Sequence, residues 1–309
     1  MAAGAGPTER LREEELLPEL FRLADSASAL GQRRAVTLAR WQLVLLILAA
    51  AAGAVGPAAA GWPCALAFLG ACGLAVRLHR QQPQALWYEG RAAAESVKTL
   101  AWKFAVRADA HRPPQRSRPE DGEPLYRRQL AGLLRGFRDS SALPAGAAEA
   151  PGQVTAAMRA LREQPLAVRR EVYLRERLES QRDWYRAKAG YCERAGRVAE
   201  LLGILLPLLG AVLAVPRALG APRVDTAGTV AAVAVAVTAW AQLRQYRPLA
   251  AAYRLAAEEL TLAGAQLARL DPAADGAEEL WARLARDAEE AVSREHTTWQ
   301  ARREVGHGH

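Results

Sequence analysis

Few residues in this chain have the types and spacing that chemistry requires. Glu295 and His296 stand side by side on a predicted helix, like the acid–base half of a nucleophilic site. No Ser or Cys partner is in view, so they read as a hydrogen-bonding surface or interface pair. The five histidines are scattered at 79, 111, 296, 307 and 309. No HExxH, GxSxG or P-loop occurs. His307 and His309 could hold a metal weakly, but they sit in a short terminal "GHGH", where disorder is the simpler expectation. Cys64, Cys72 and Cys192 form no CxxC and no Cys/His cluster, which argues for reduced, packed thiols and against a zinc site. Glu200, at the edge of an apolar run, is a membrane-edge carboxylate that could line an ion path. The expectation is a non-enzymatic chain without a cofactor or a catalytic residue.

The elements that must position these groups are dominated by charge-free runs. Gln42 to Val76 is 35 residues without a charge. One straight helix of that length would measure about 50 Å, against about 30 Å of hydrocarbon. "GPAAAGWP", Gly56 to Pro63, supplies turn chemistry in its middle. This predicts a hairpin of two spans, about 36–56 and 62–77. Arg40 and Arg77 can snorkel to the interface, where Trp41 and Trp62 also belong. A second pair follows at about 198–216 and 226–243, with Trp240 near its end. A soluble helix would show a polar face, and these runs show none.

Orientation follows from the basic residues near the span ends. Arg33, Arg34, Arg40, Arg77 and Arg80 flank the open end of the first hairpin, whose turn is uncharged. The second has Arg194, Arg197, Arg244 and Arg247 at its open end, against Arg217 and Arg223 in its connector. Both open ends, both termini and the middle region are therefore expected in the cytosol. The polar, acidic N-terminal stretch has no signal-peptide pattern.

Outside the spans, amphipathic helices are expected. Past Pro83, Leu86, Ala93, Val97, Leu100 and Phe104 share a face; past Pro248, Tyr253, Ala256, Leu260, Ala263, Leu267 and Leu270 do the same. Each proline is expected to kink a continuing helix. Both stretches carry a small signature, Arg91-Ala-Ala-Ala-Glu95 and Arg254-Leu-Ala-Ala-Glu258. Ala108–Pro124 and Ser140–Pro151 read as loops around a short basic helix at 125–137. A long helix is expected from about Pro165 into the third span, with Leu174, Leu178, Gln181, Tyr185, Ala189 and Cys192 inward. A last helix at about 276–303 puts Trp281, Leu284, Ala288, Val292 and Trp299 near one side. Arg127-Arg128 and Arg169-Arg170 alternate with glutamates, which describes solvated faces and no specific nucleic acid. The fold class is an all-α membrane protein: two tandem transmembrane helical hairpins, four spans in all, with long helices extending into the cytosol.

"WYEGRAAAESVKTLAWKFAVRAD" (87–109), "REVYLRERLESQRDWYRAKAGY" (170–191) and "AVSREHTTWQARR" (291–303) resemble the SLATT group of two-transmembrane effector domains, associated with nucleotide-signalling SMODS and SLOG proteins. The resemblance implies two units, 1–110 and 165–309, joined by a Pro/Gly-rich linker, 111–164. It also implies a pore-like effector of a prokaryotic conflict system, acting by membrane permeabilisation. The alternative is a non-conducting, membrane-anchored interaction or sensor protein. The implied gating or assembly residues are Trp87, Tyr88, Arg91, Glu95 and Trp102, then Tyr173, Gln181, Trp184, Tyr185, Glu295, His296 and Trp299. Arg254 and Glu258 join them through the repeated signature. The implied partners are the lipid bilayer of the inner membrane, further copies of the chain, and a separate protein that makes or senses a nucleotide.

Overall fold

The structure is a computed structural model. It describes residues 11–54, 61–108, 122–137, 140, 142–143, 152–219 and 226–304; residues 216–218, 291 and 293–304 are described by backbone alone. Eleven α-helices occur among these residues, and no strand. They are α1 (Glu13–Leu16), α2 (Glu19–Ala54), α3 (Gly61–Gln81), α4 (Pro83–Ala105), α5 (Gly122–Arg135), α6 (Ala156–Glu163), α7 (Leu166–Val172), α8 (Ser180–Ala218), α9 (Thr226–Arg244), α10 (Tyr246–Ala268) and α11 (Ala277–Glu304). A π-helical segment, Tyr173–Glu179, joins α7 to α8.

The chain forms two compact units. The first takes 1–30, 85–187 and 252–309, and the second takes 31–84 and 188–251. Each draws on both halves of the sequence. The second unit holds the four charge-free runs. Among the described residues four helices are long and apolar enough to cross a membrane, and almost none of their most apolar surface is buried by protein. Leu66, Leu69, Ile204 and Leu208 are all more than half exposed, which in water would be costly and in lipid is not. Within each hairpin, small residues set the approach. A Cβ on Gly70 would lie 3.0 Å from Leu45, and one on Gly210 would lie 3.7 Å from Val230. The Cys64 thiol donates to the carbonyl of Ala49.

The helix bounds enclose the second, third and fourth expected spans, and α2 covers the first as far as Ala54, where the described residues stop. α2 starts well before the first span, and α8 runs unbroken through Pro207. The turn expected at 56–63 lies outside the described residues as far as position 60, and α3 already begins at Gly61. The connector residues Arg223 and Asp225 and the tail histidines, with His111, also lie outside.

Two expectations need correction. The helices past the second and fourth spans are not kinked by their prolines. The chain breaks one residue earlier in the first case and three in the second, at Gln82 and Gln245, with φ of 38° and 48°. Pro83 then opens α4, where its missing N–H costs nothing. A single left-handed residue re-aims the chain, which a proline kink cannot do as sharply. The second correction concerns α4. It is not amphipathic with one buried face: Ala93, Ala94, Glu95, Val97, Lys98, Thr99, Ala101, Trp102, Phe104 and Ala105 are all buried. It is the central helix of the first unit, so the polar residues on its outer side needed partners of their own.

Candidate functional site

The first unit is organised around the C-terminal half of α4. Arg107 closes that helix in the left-handed region, at φ 60°. The Ala108 N–H bonds the carbonyl of Lys103, and Arg107 bonds that of Phe104, a Schellman closure. Distant side chains also donate to the carbonyls at this end. Val106 accepts from Trp281 Nε1 at 2.7 Å and from Arg169 Nη1 at 2.9 Å, and Phe104 accepts from Arg162. Two guanidinium groups thus sit at the negative end of the helix dipole. Arg169 is fully buried and also pairs with Glu278. Burial pulls its pKa down, against the pull of Glu278 upward.

One turn earlier, α4 supplies the polar centre. Lys98 Nζ donates to Glu13 at 2.8 Å, and Trp102 Nε1 donates to the other oxygen of Glu13 at 3.0 Å. Arg177, from the π segment, makes two 2.8 Å bonds to Glu289 of α11 and lies 3.9 Å from Glu13. Its Nη2 is also 3.5 Å from the hydroxyl of Thr99. Tyr173 donates to Glu289 at 3.0 Å and sits edge-on between Trp102 and Trp281, at 5.6 and 5.7 Å. Four segments meet here, α1, α4, the π segment and α11, and Glu176 of the π segment also takes the Glu13 backbone N–H of α1.

The electrostatics follow from burial. Burial lowers the Lys98 pKa, with Arg177 adding to it and Glu13 and Glu95 opposing. Burial also works against the Arg177 charge, yet Glu289, Glu13 and Glu95 outweigh it and hold the guanidinium charged. Burial and Glu289 hold the Tyr173 phenol well above its usual range. Such a web has balanced charge and dense bonding, with Arg177 Nη1 left without a hydrogen bond, and it suits holding four segments in one register. A cavity of about 10 Å³ beside Tyr185, Leu260 and Val292 is at the lower limit for one water. Among the described residues no group of His, Cys, Asp and Glu could hold a metal.

The candidate residues from the sequence fall into separate places. Trp102 and Tyr173 are in the web. Glu95 is buried and pairs with Arg91 at 2.7 Å, one helical turn away. Arg91 lies over the Trp184 ring at 5.7 Å, and Trp184, Tyr185 and Tyr253 pack together at 5.2–5.7 Å. Gln181 is buried on the same helix. Trp87 and Tyr88 stack at 4.9 Å, and the Trp87 carbonyl accepts from Ser28. Arg254 and Glu258 are exposed and stand outside the web. Glu200 pairs with Arg247 in the second unit. Glu295, His296 and Trp299 lie on α11, beyond the residues whose side chains are described.

Sequence reasoning missed Glu13, Lys98, Arg169, Arg177 and Glu289. One signal was available for Lys98: nearly all the base in this chain is Arg, and Lys occurs just at 98, 103 and 188. An ammonium reaching one carboxylate is a different device from a planar fork. Nothing local marks Arg177 or Glu289, which are 112 residues apart.

Four helices long and apolar enough to cross a membrane, and a unit closed around a buried ion-pair web, define an all-helical, multi-pass membrane protein. Two family profiles match it in tandem: SMODS and SLOG-associating 2TM effector domain 3 over residues 18–170, and effector domain 1 over residues 173–299. The chain belongs to the SLATT group and carries two of its two-transmembrane effector domains. No curated protein and no solved structure matches it. The boundary between the two domains, at 170–173, falls where α7 passes into the π segment.

Proposed function

We propose that this protein is a pore-like effector that stops growth by permeabilising the inner membrane. It carries no enzymatic activity and needs no cofactor. The observation that carries the proposal is the continuity of α2 and α8, each of which contributes both to the closed soluble unit and to a lipid-exposed span. The two units are thus joined through the backbone of single helices. The family supplies the effector role. The open ends of the hairpins and both termini lie in the cytosol, several copies assemble, and a separate nucleotide-making or nucleotide-sensing protein triggers the assembly.

Induced expression should depolarise cells, read with a potential-sensitive dye. Gly70→Leu should weaken the effect, because a side chain there meets Leu45 and parts α2 from α3. Intact membrane potential during growth arrest would sink the proposal. A second reading is favoured by Leu255 and Leu262, two strongly exposed leucines two turns apart on α10: an anchored protein that recruits a partner without conducting. Planar-bilayer current separates the two.

A further inference from the structure

The second unit is lopsided in charge. Residues 31–84 and 188–251 hold twelve basic and three acidic residues, while the rest of the chain holds 29 and 30. Between Asp25 and Glu89 there is no carboxylate at all. The five arginines at the open end of the first hairpin, Arg33, Arg34, Arg40, Arg77 and Arg80, are exposed and have no ion-pair partner among the described residues. The second hairpin has Glu193 and Glu200 at its open end, against five basic residues, and Glu200 is taken up by Arg247. No acid occurs within the apolar stretches 42–54, 61–76, 201–215 and 226–243.

Membrane topology explains half of this pattern. Basic residues at cytosolic ends orient the hairpins, but acidic residues there have little effect on orientation and are free to occur. The first unit has as many acids as bases, so overall composition does not explain their loss either. A path for cations would need carboxylates at its mouth or along its walls, and a mouth rimmed by arginine concentrates anions.

Resting on the pore reading above, we infer that the conducted species is a small inorganic anion of the chloride class, selected by the arginine-rich open ends of the two hairpins. Cations are repelled at that mouth and meet no acid within the apolar stretches.

The test is current through full-length protein reconstituted in planar bilayers under a potassium chloride gradient. Reversal near the chloride equilibrium potential is the expected result. Gln32→Glu combined with Gln81→Glu places two carboxylates at exposed positions of the same open end without removing an arginine. It leaves the orienting charges intact and should move the reversal potential toward zero. Reversal at zero or on the potassium side in the unaltered protein overturns the anion assignment while the current itself upholds a pore. A double variant that conducts yet keeps the wild-type reversal overturns the role given to the open ends. Absence of current removes the pore reading, and the selectivity with it.

Discussion

Helices α4 and α10 are the same device built twice. Each has 23 residues, and their bounds are offset by the same 163 positions. Each follows a glutamine in the left-handed region, Gln82 or Gln245, and each carries Arg and Glu at matching places. Their surroundings differ. Val97 and Phe104 of α4 correspond to Leu260 and Leu267 of α10, and all four are buried. On the other side, Glu95 and Lys98 are buried, whereas the matching Glu258 and Thr261 are exposed. Gly90 corresponds to Tyr253. At Gly90, a Cβ would stand 2.7 Å from the Ser28 nitrogen and 2.9 Å from the Ala24 carbonyl, so α2 presses directly on the α4 backbone. At Tyr253 the same position carries a ring packed on Trp184 and Tyr185. A duplicated helix has become a central strut in one copy and a covering helix in the other. The difference lies in how many neighbours each must satisfy.

That contrast can be broken in order of effect. Arg177→Ala leaves Glu289 buried without its bidentate partner and should cost about 3–5 kcal/mol. Thermal unfolding of the purified protein in detergent should show the first unit melting early. An unchanged melt would mean that the web does not hold α4. Gly90→Ala should cost about 1–3 kcal/mol, since backbone and not a flexible side chain stands in the way. The same measurement, joined to cysteine cross-linking between α2 and α4, would show whether the two helices separate. Glu95→Ala should lose about 1–3 kcal/mol by stranding buried polar groups, while Glu258→Ala should stay within about 0.5 kcal/mol. Equal effects of the two substitutions would erase the distinction between strut and cover. Gln82→Gly and Gln245→Gly should each stabilise by roughly 0.5–1 kcal/mol, because glycine accepts a positive φ that a side chain resists. A loss at either position would mean that the glutamine side chain, not the backbone turn, is what the joint needs.

Much of the architecture was legible in the chain itself. The four spans are written in runs without charge, because lipid tolerates no unpaired ion and rewards none. The long helix from Pro165 into the third span was legible from one stripe, of which Leu178, Tyr185, Ala189 and Cys192 are indeed buried. α10 matches its amphipathic pattern for the same reason: it has one neighbour side, and periodicity reports one-sided burial. α4 misled because a helix enclosed on every side can still carry charge when each charge finds a partner elsewhere. Those partners, Glu13 and Glu289, lie 85 residues before Lys98 and 112 residues after Arg177. The breaks at Gln82 and Gln245 were misread as proline kinks, since a left-handed glutamine has no signature of its own.

Sequence alone determined which segments enter the bilayer, the duplication, and the one-sided distribution of charge around the spans. These follow from local composition, which no later packing can alter. The tertiary structure decided which copy of the repeated helix became the centre. It also decided that Arg177 and Glu289 would meet, and that Arg91 would lie over Trp184. Such pairings depend on the three-dimensional closure of four distant segments, and the free energy of a buried ion exists only once every one of its partners has arrived.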